Sequence, residues 1–210
     1  KISKCRVSGD KNLVTVLNLG HQALTGVFPA SPSVPVTVGP LELVWSPDSG
    51  LLQLHHSYDA GEMYGDNYGY RSGLNQSMVD HLTQKVRYLE RLASLKAGDT
   101  VLDIGSNDCT TLKAYSIADI QRIGIDPTGR KFASYYPKDV KLVPDFFSAA
   151  AYHSATDRKV KIVTSIAMFY DLESPIQFAR EIESVLADDG VWHFEQSYMP
   201  SMLRTNSYDT

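Results

Sequence analysis

The sequence predicts an α/β fold, a doubly wound parallel sheet preceded by a small β-rich unit, and three observations lead there. From residue 98 onward five apolar runs alternate with stretches of helical period, the pattern of a parallel sheet with helices on both faces. Before residue 65 the apolar runs are short, and Pro29, Pro32, Pro35 and Pro40 exclude a long helix. Between the two, Leu74, Met78, Leu82, Val86, Leu89 and Leu92 recur at intervals of three and four, so one amphipathic helix is expected over Ser72–Leu95. The expected organisation is a β-rich module over 1–65, a linker helix region over 66–97 and a sheet domain over 98–210.

In the first module "LVTVLNLG", "LELVWSP" and "GLLQL" read as short strands separated by turn formers. "KAGDT" supplies a turn before "VLDIG", the first strand of the larger sheet, and a helical stretch is expected from there to Ala118. "RIGID", "VKLVPDFF" and "VKIVTSIAMF" supply the next three strands. "SPIQFAREIESVLADDG" reads as a helix starting near Ser174 and Pro175 and stopping at Gly190, and "VWHFEQSY" is the fifth strand.

A formal charge of -4 without any Lys/Arg cluster leaves no electrostatic footprint for a polyanion, so nucleic acid is not an expected partner. No apolar run approaches the roughly 20 residues of a membrane span. Cys5 and Cys109 form no disulfide framework, which makes a reducing cytoplasm the expected compartment. The oligomeric state is open.

The turn after the first strand is where a doubly wound sheet binds its ligand. Here it reads Asp103-Ile104-Gly105-Ser106-Asn107-Asp108-Cys109, with only the first glycine of the G-x-G-x-x-G that lets a backbone approach a pyrophosphate. S-adenosylmethionine has no phosphate. It needs one close approach, at Gly105, and polar groups for its amino acid end, which Asp103, Asn107 and Asp108 would supply. Asp126, closing the second strand in "GIDP", is placed to accept from both ribose hydroxyls, as it would for NAD. Asp145 and Phe146 end the third strand as candidates for the adenine amino group and ring, with Phe147 beside them. Ser165 and Met168 leave the fourth strand at the same rim. Glu195, Gln196 and Tyr198 end the fifth, as contacts for a substrate or for the methionine part. His81 and His193 read as structural.

Taken together, "LNLGHQALTGVF", "SPDSGLLQLHHSY", "YGYRSGLNQSM", "DIGSND", "GIDPTG", "DFF", "FYDLESP" and "FEQSYMPSMLRTNSYDT" resemble the sugar C-methyltransferases that act on nucleotide-linked keto-deoxysugars. The resemblance runs along essentially the whole chain. It implies a Rossmann-like class I methyltransferase sheet, with five of seven strands present, behind a zinc-binding module. It implies S-adenosylmethionine as cofactor, a nucleotide sugar as substrate, an acid/base candidate at Tyr68 or Tyr70, and Arg71 and Ser72 among the substrate contacts.

Three departures accompany it. Where the family's module resembles two C-x-x-C pairs, this chain has Cys5 and Ser8, then Ser46 and Ser49, so zinc is not expected. Cys109 stands where the family resembles glycine, and a side chain there is expected to hold the loop away from positive φ and to weaken cofactor binding. The segment after "SYDT", where the family resembles further tyrosine and histidine partners, is not in this sequence. A noncatalytic nucleotide-sugar-binding or interaction module on the same fold is the alternative reading, and an NAD-linked oxidoreductase is disfavoured by the single glycine.

Overall fold

The computed structural model describes residues 1–24, 29–64 and 68–207. The chain divides into two compact units, Lys1–Tyr70 with Glu173–Gln177, and Arg71–Leu172 with Phe178–Thr210.

The first unit is an antiparallel sheet in the order β1 (Val14–Ala23), β2 (Val38–Trp45), β3 (Leu52–Leu54), followed by the one-turn helix α1 (Ala60–Met63). Pro40 lies in the central strand, where it cannot donate to the ladder. It is accommodated because pairing with β1 shifts register between Asn18 and His21. The Tyr58 hydroxyl donates to the Pro40 carbonyl at 2.6 Å, and a Cβ on Gly39 would lie 2.6 Å from the same hydroxyl, so the tyrosine crosses the strand only over a glycine.

The second unit opens with α2 (Gln76–Leu92), whose first turn is capped by the Asn75 side chain accepting from the Ser77 N–H. Leu82, Val86 and Leu89 of the predicted stripe are buried, whereas Leu74 and Leu92 are exposed. Leu74 falls in a 3-10 turn before the cap, and Ala93 takes the core position beyond Leu89. The elements that follow are β4 (Thr100–Ile104), α3 (Thr110–Lys113), β5 (Gln121–Ile125), α4 (Gly129–Phe132), β6 (Val140–Val143), α5 (Ala149–His153), β7 (Val160–Ile166), α6 (Pro175–Val185), β8 (Leu186–Glu195) and α7 (Met199–Thr205).

All five strands of this sheet are parallel, in the order β6-β5-β4-β7-β8. That is the third-second-first-fourth-fifth order of a Rossmann-like sheet, with the reversal between β4 and β7. One face carries Leu102, Ile104, Ile123, Ile125 and Val163 against Tyr152, Phe178, Ile182 and Val185. The other carries Val101 and Ile162 against Val86 and Leu89 of α2, with Cys109 and Leu112.

The helix expected over Ser72–Leu95 is confined to Gln76–Leu92, and two further helices are shorter than their patterns. The one after β4 ends at Lys113 rather than near Ala118, and α6 ends at Val185 rather than at Gly190. In the second case Leu186 already pairs with Val160, and the ladder then shifts register before Val191 meets Ile162. Gly190 closes that irregularity, where a Cβ would lie 2.8 Å from the Val160 carbonyl oxygen.

Glu90, on α2, is a buried carboxylate inside the second unit. It accepts from the Ser116 N–H at 2.5 Å and the Ser116 hydroxyl at 2.9 Å, and pairs with Arg87 at 3.0 Å. Burial opposes its ionisation, but the Ser116 N–H, Arg87 and the Ser116 hydroxyl outweigh burial and hold its pKa below the usual value. A depressed carboxylate stabilises the fold above its unfolded pKa, and that contribution disappears as pH falls through the folded one. Glu90→Ala is therefore expected to cost about 2–4 kcal/mol at neutral pH. Urea titration should show the gap to the parent narrowing below roughly pH 4.

Candidate functional site

The turn after β4 packs polar groups densely. Gly105 has φ +74°, and its N–H donates to the Ile125 carbonyl at 2.9 Å, which ties the turn to β5. A Cβ there would meet only the Met168 side chain, at 3.4 Å, so the backbone at this point is open to close approach. Asn107 and Cys109 follow at φ +47° and +68°. The expectation that Cys109 keeps the loop out of positive φ is thus corrected: the residue takes the glycine-like conformation. Its fully buried side chain, packed with Leu112 and Val101, offsets a left-handed penalty of about 1–2 kcal/mol. Burial pushes the thiol up to about 12, so it is an inert core group rather than a nucleophile.

Asp126 organises the turn from the neighbouring strand. One carboxylate oxygen accepts from the Asn107 N–H at 2.7 Å, and the other accepts from the Thr128 N–H at 2.6 Å and the Thr128 hydroxyl at 2.5 Å. A carboxylate offers about four lone-pair sites, so these three donors leave one. Ser106 and the Tyr136 hydroxyl lie 2.7 Å apart, and that hydroxyl donates to the Asn107 carbonyl at 3.0 Å. Burial holds the Tyr136 phenol far above its ordinary pKa, so it acts here as a neutral donor.

Arg71 and Ser72, expected among the substrate contacts, join the expected cofactor residues Asn107 and Asp108. The Ser72 N–H donates to the Asn107 side-chain oxygen at 3.0 Å, and the Gly73 N–H to Asp108 at 3.0 Å. The Arg71 guanidinium lies 3.6 Å from Asp108 and stacks over the Tyr135 ring at 4.4 Å, with a hydrogen bond to the Tyr135 hydroxyl. A Cβ on Gly73 would sit 2.5 Å from the Asp108 carboxylate, so any larger residue there has to displace that side chain.

Beneath the turn, parallel register aligns Asp103, Thr164 and His193 across β4, β7 and β8, above the apolar row Val101, Ile162 and Val191. The Thr164 hydroxyl donates to Asp103 at 2.5 Å. Burial raises Asp103 to about 7, against the opposing hydrogen bonds from Thr164 and Thr111. A raised carboxyl takes up a proton on folding, so its contribution to stability is complete below the unfolded value and is lost as pH rises toward 7. Asp103→Asn keeps an oxygen for Thr164 without the buried charge. The variant is expected to gain on the order of 2 kcal/mol over the parent at pH 8 and little at pH 4, read by thermal or urea unfolding at both.

At the end of β8, Glu195 accepts from His81 Nε2 at 2.7 Å, pairs with Lys85 at 2.9 Å, and has His193 at 3.5 Å. Burial opposes its ionisation, but His81 and Lys85 outweigh that and hold its pKa below the usual carboxylate range. His81 and Lys85 stand four apart on α2 and so share a face, a spacing visible in the sequence. That they meet Glu195 and His193 is a tertiary fact the sequence does not carry.

The remaining candidates are placed individually. Ser165, expected at the rim, is fully buried and accepts from the Trp192 indole N–H at 2.9 Å. Asp145 is exposed and accepts from the Phe146 N–H at 2.7 Å. Phe146 is 46% exposed, whereas Phe147 packs edge-on against Phe178, so the pair divides between rim and core. Gln196 and Tyr198 are exposed after β8. Tyr68 and Tyr70 belong to the first unit, half-buried and exposed respectively.

Residues 5–64 match the family described as "Putative zinc binding domain". Over 213 aligned residues, spanning 100% of this chain, the sequence is 24% identical to the C-methyltransferase NovU of Streptomyces niveus. That similarity to a C-methyltransferase runs along the whole of this chain. It spans 50% of the length of that relative. Solved structures with a partial likeness include the plantazolicin methyltransferase BpumL in complex with a pentazolic desmethylPZN analog and SAH (15% identity, 64% of this chain and 52% of that one, TM-score 0.49). Another is the cyclopropane synthase MmaA2 from Mycobacterium tuberculosis (17% identity, 60% and 47%, TM-score 0.44).

The zinc expected of the matched module does not fit the residues present. Structural zinc takes four good donors, usually thiolates or imidazoles. The two C-x-x-C positions here hold one thiol and three neutral hydroxyls, at Cys5, Ser8, Ser46 and Ser49. Among the described residues no helix is long and apolar enough to cross a membrane.

Proposed function

We propose that the second unit binds S-adenosylmethionine at the turn after β4, and that the protein to which this chain belongs transfers its methyl group to carbon. The observation that carries the reading is the pairing of an open glycine turn at Gly105 with a buried carboxylate, Asp126, on the adjacent strand at the sheet's reversal point. The relationship to a C-methyltransferase supports it. When bound, the cofactor supplies an electrophilic methyl on a sulfonium centre.

The chain's own residues divide the work. Gly105 gives room for backbone approach, Asp126 accepts from a ribose hydroxyl, and Asp145 and Phe146 offer an acceptor and a ring face to adenine. With these three donors in place one lone-pair site is left, so accepting from two ribose hydroxyls requires one of them to give way, and the rotatable Thr128 hydroxyl can do so without moving the backbone. Asp103, Asn107 and Asp108 serve the amino acid end, with Met168 behind the methyl.

The substrate we infer is a nucleotide-linked keto-deoxysugar, whose carbon beside the ketone becomes nucleophilic once a base removes its proton. Tyr68 and Tyr70 are the acid/base proposals, and Arg71, Ser72, Glu195, Gln196 and Tyr198 the substrate contacts. Isothermal titration of the chain with S-adenosylhomocysteine is the first test, and no heat at millimolar ligand overturns the cofactor assignment. Transfer of labelled methyl to a keto-deoxysugar nucleotide by the full-length protein tests the second half. Cofactor binding with no such transfer would remove the sugar assignment alone.

A further inference from the structure

The first unit contains two turns of the same construction, forty-one residues apart. In one, the Gly9 N–H donates to the Cys5 carbonyl at 3.0 Å and the Cys5 N–H to the Asp10 carbonyl at 2.7 Å. In the other, the Gly50 N–H donates to the Ser46 carbonyl at 2.8 Å and the Ser46 N–H to the Leu51 carbonyl at 2.9 Å. Gly9 and Gly50 have φ of +76° and +72°. The Ser8 and Ser49 hydroxyls accept from the N–H two residues on, at 3.3 and 3.2 Å. In each turn the first residue is buried, Cys5 and Ser46, and the fourth exposed, Ser8 and Ser49.

The two turns also meet. Cys5 Sγ lies 3.2 Å from the Ser49 hydroxyl and accepts from the Val7 N–H at 3.4 Å. Ser46 is fully buried and its hydroxyl has no hydrogen-bond partner among the described residues. An orphaned hydroxyl at zero exposure costs stability, and it stands at the position where a thiolate would face a metal.

We propose that this module is a zinc-knuckle pair whose two turns persist without metal, joined by a thiol–hydroxyl cluster, and that Cys5, Ser8, Ser46 and Ser49 remain placed to form one tetrahedral metal site once the three serines are cysteines. The turns hold because their shape comes from backbone hydrogen bonds and two left-handed glycines rather than from the ion. Metal is lost because a neutral hydroxyl does not replace a thiolate toward zinc, and one thiolate leaves three positions without good donors.

The test compares the 210-residue chain with its S8C/S46C/S49C variant, using Zn(II) and Co(II) as probes. The parent is expected to purify with less than about 0.1 zinc per chain and to melt at the same temperature with and without a strong chelator. The triple variant is expected to take up about one metal per chain, to show the thiolate charge-transfer and visible bands of tetrahedral Co(II), and to melt higher with zinc, reversibly on chelation. Stoichiometric, chelator-sensitive zinc in the parent overturns the proposal. So does a folded triple variant that takes no Co(II) or holds it in octahedral form.

Because Ser46 is buried, the double variant S8C/S49C provides a second route at two exposed positions. Three thiolates there should still bind Co(II) in tetrahedral form. If the triple variant stays unfolded even with zinc and the double variant binds nothing, the four positions do not form a site and the proposal fails.

Discussion

Replacing Asp126 with alanine is expected to lower stability by about 2–4 kcal/mol and to remove measurable binding of S-adenosylhomocysteine at the concentrations that saturate the parent. The stability term follows from the donors it leaves behind. Asp126 is 5% exposed, and its loss removes the buried acceptor to which the Asn107 N–H and the Thr128 N–H donate. The binding term has two parts, since the same carboxylate shapes the 106–109 turn and is the proposed ribose acceptor. Asp126→Asn separates them: its amide oxygen satisfies one side of the turn, while its amide nitrogen faces donors on the other. An intermediate stability loss with a full loss of binding is the expected result, from urea titration and calorimetry on both variants. If D126A bound the ligand within threefold of the parent, the proposed site would be wrong.

The sheet was legible because its central strands, "TVLDI" and "VKIVTSI", are buried on both faces and read as short, mainly apolar runs rich in β-branched residues. The helices between them were less legible. "TTLK" and "GRKF" form only one turn each, and propensity cannot mark where a loop leaves a helix when the tertiary hydrogen bonds decide. Residues of the turn itself, from Asp103 to Asp108 with Asp126, were readable from their position after strands. Their partners were not: Tyr136, Thr164 and Thr111 carry no local pattern and enter through register and folding back. Ser165 shows the limit of reading a rim from strand ends, because alternation turned it inward onto Trp192.

The glycine at the head of the turn offers the sharpest separation of stability from binding. Gly105→Ala places a methyl at φ +74°, costing about 1 kcal/mol in backbone strain, with only the flexible Met168 side chain at 3.4 Å to move. Stability alone therefore changes little. The methyl nevertheless fills the space through which a ligand would approach the backbone, so affinity for S-adenosylhomocysteine is expected to fall at least about tenfold, or roughly 1.4 kcal/mol. Gly105→Val should lose more of both, since a β-branched residue is a severe outlier at positive φ. Gly98 is the control. It has φ +89° and open space around its Cβ, and it precedes β4 at the opposite end of the strand. Gly98→Ala should thus carry a similar strain penalty in unfolding experiments and leave binding unchanged. Equal affinity losses in G98A and G105A would show that binding merely follows global stability, and would sink the close-approach role of Gly105. A loss confined to G105A would tie the ligand to the carboxyl end of β4, where strand order, the buried Asp126 carboxylate and the open backbone coincide.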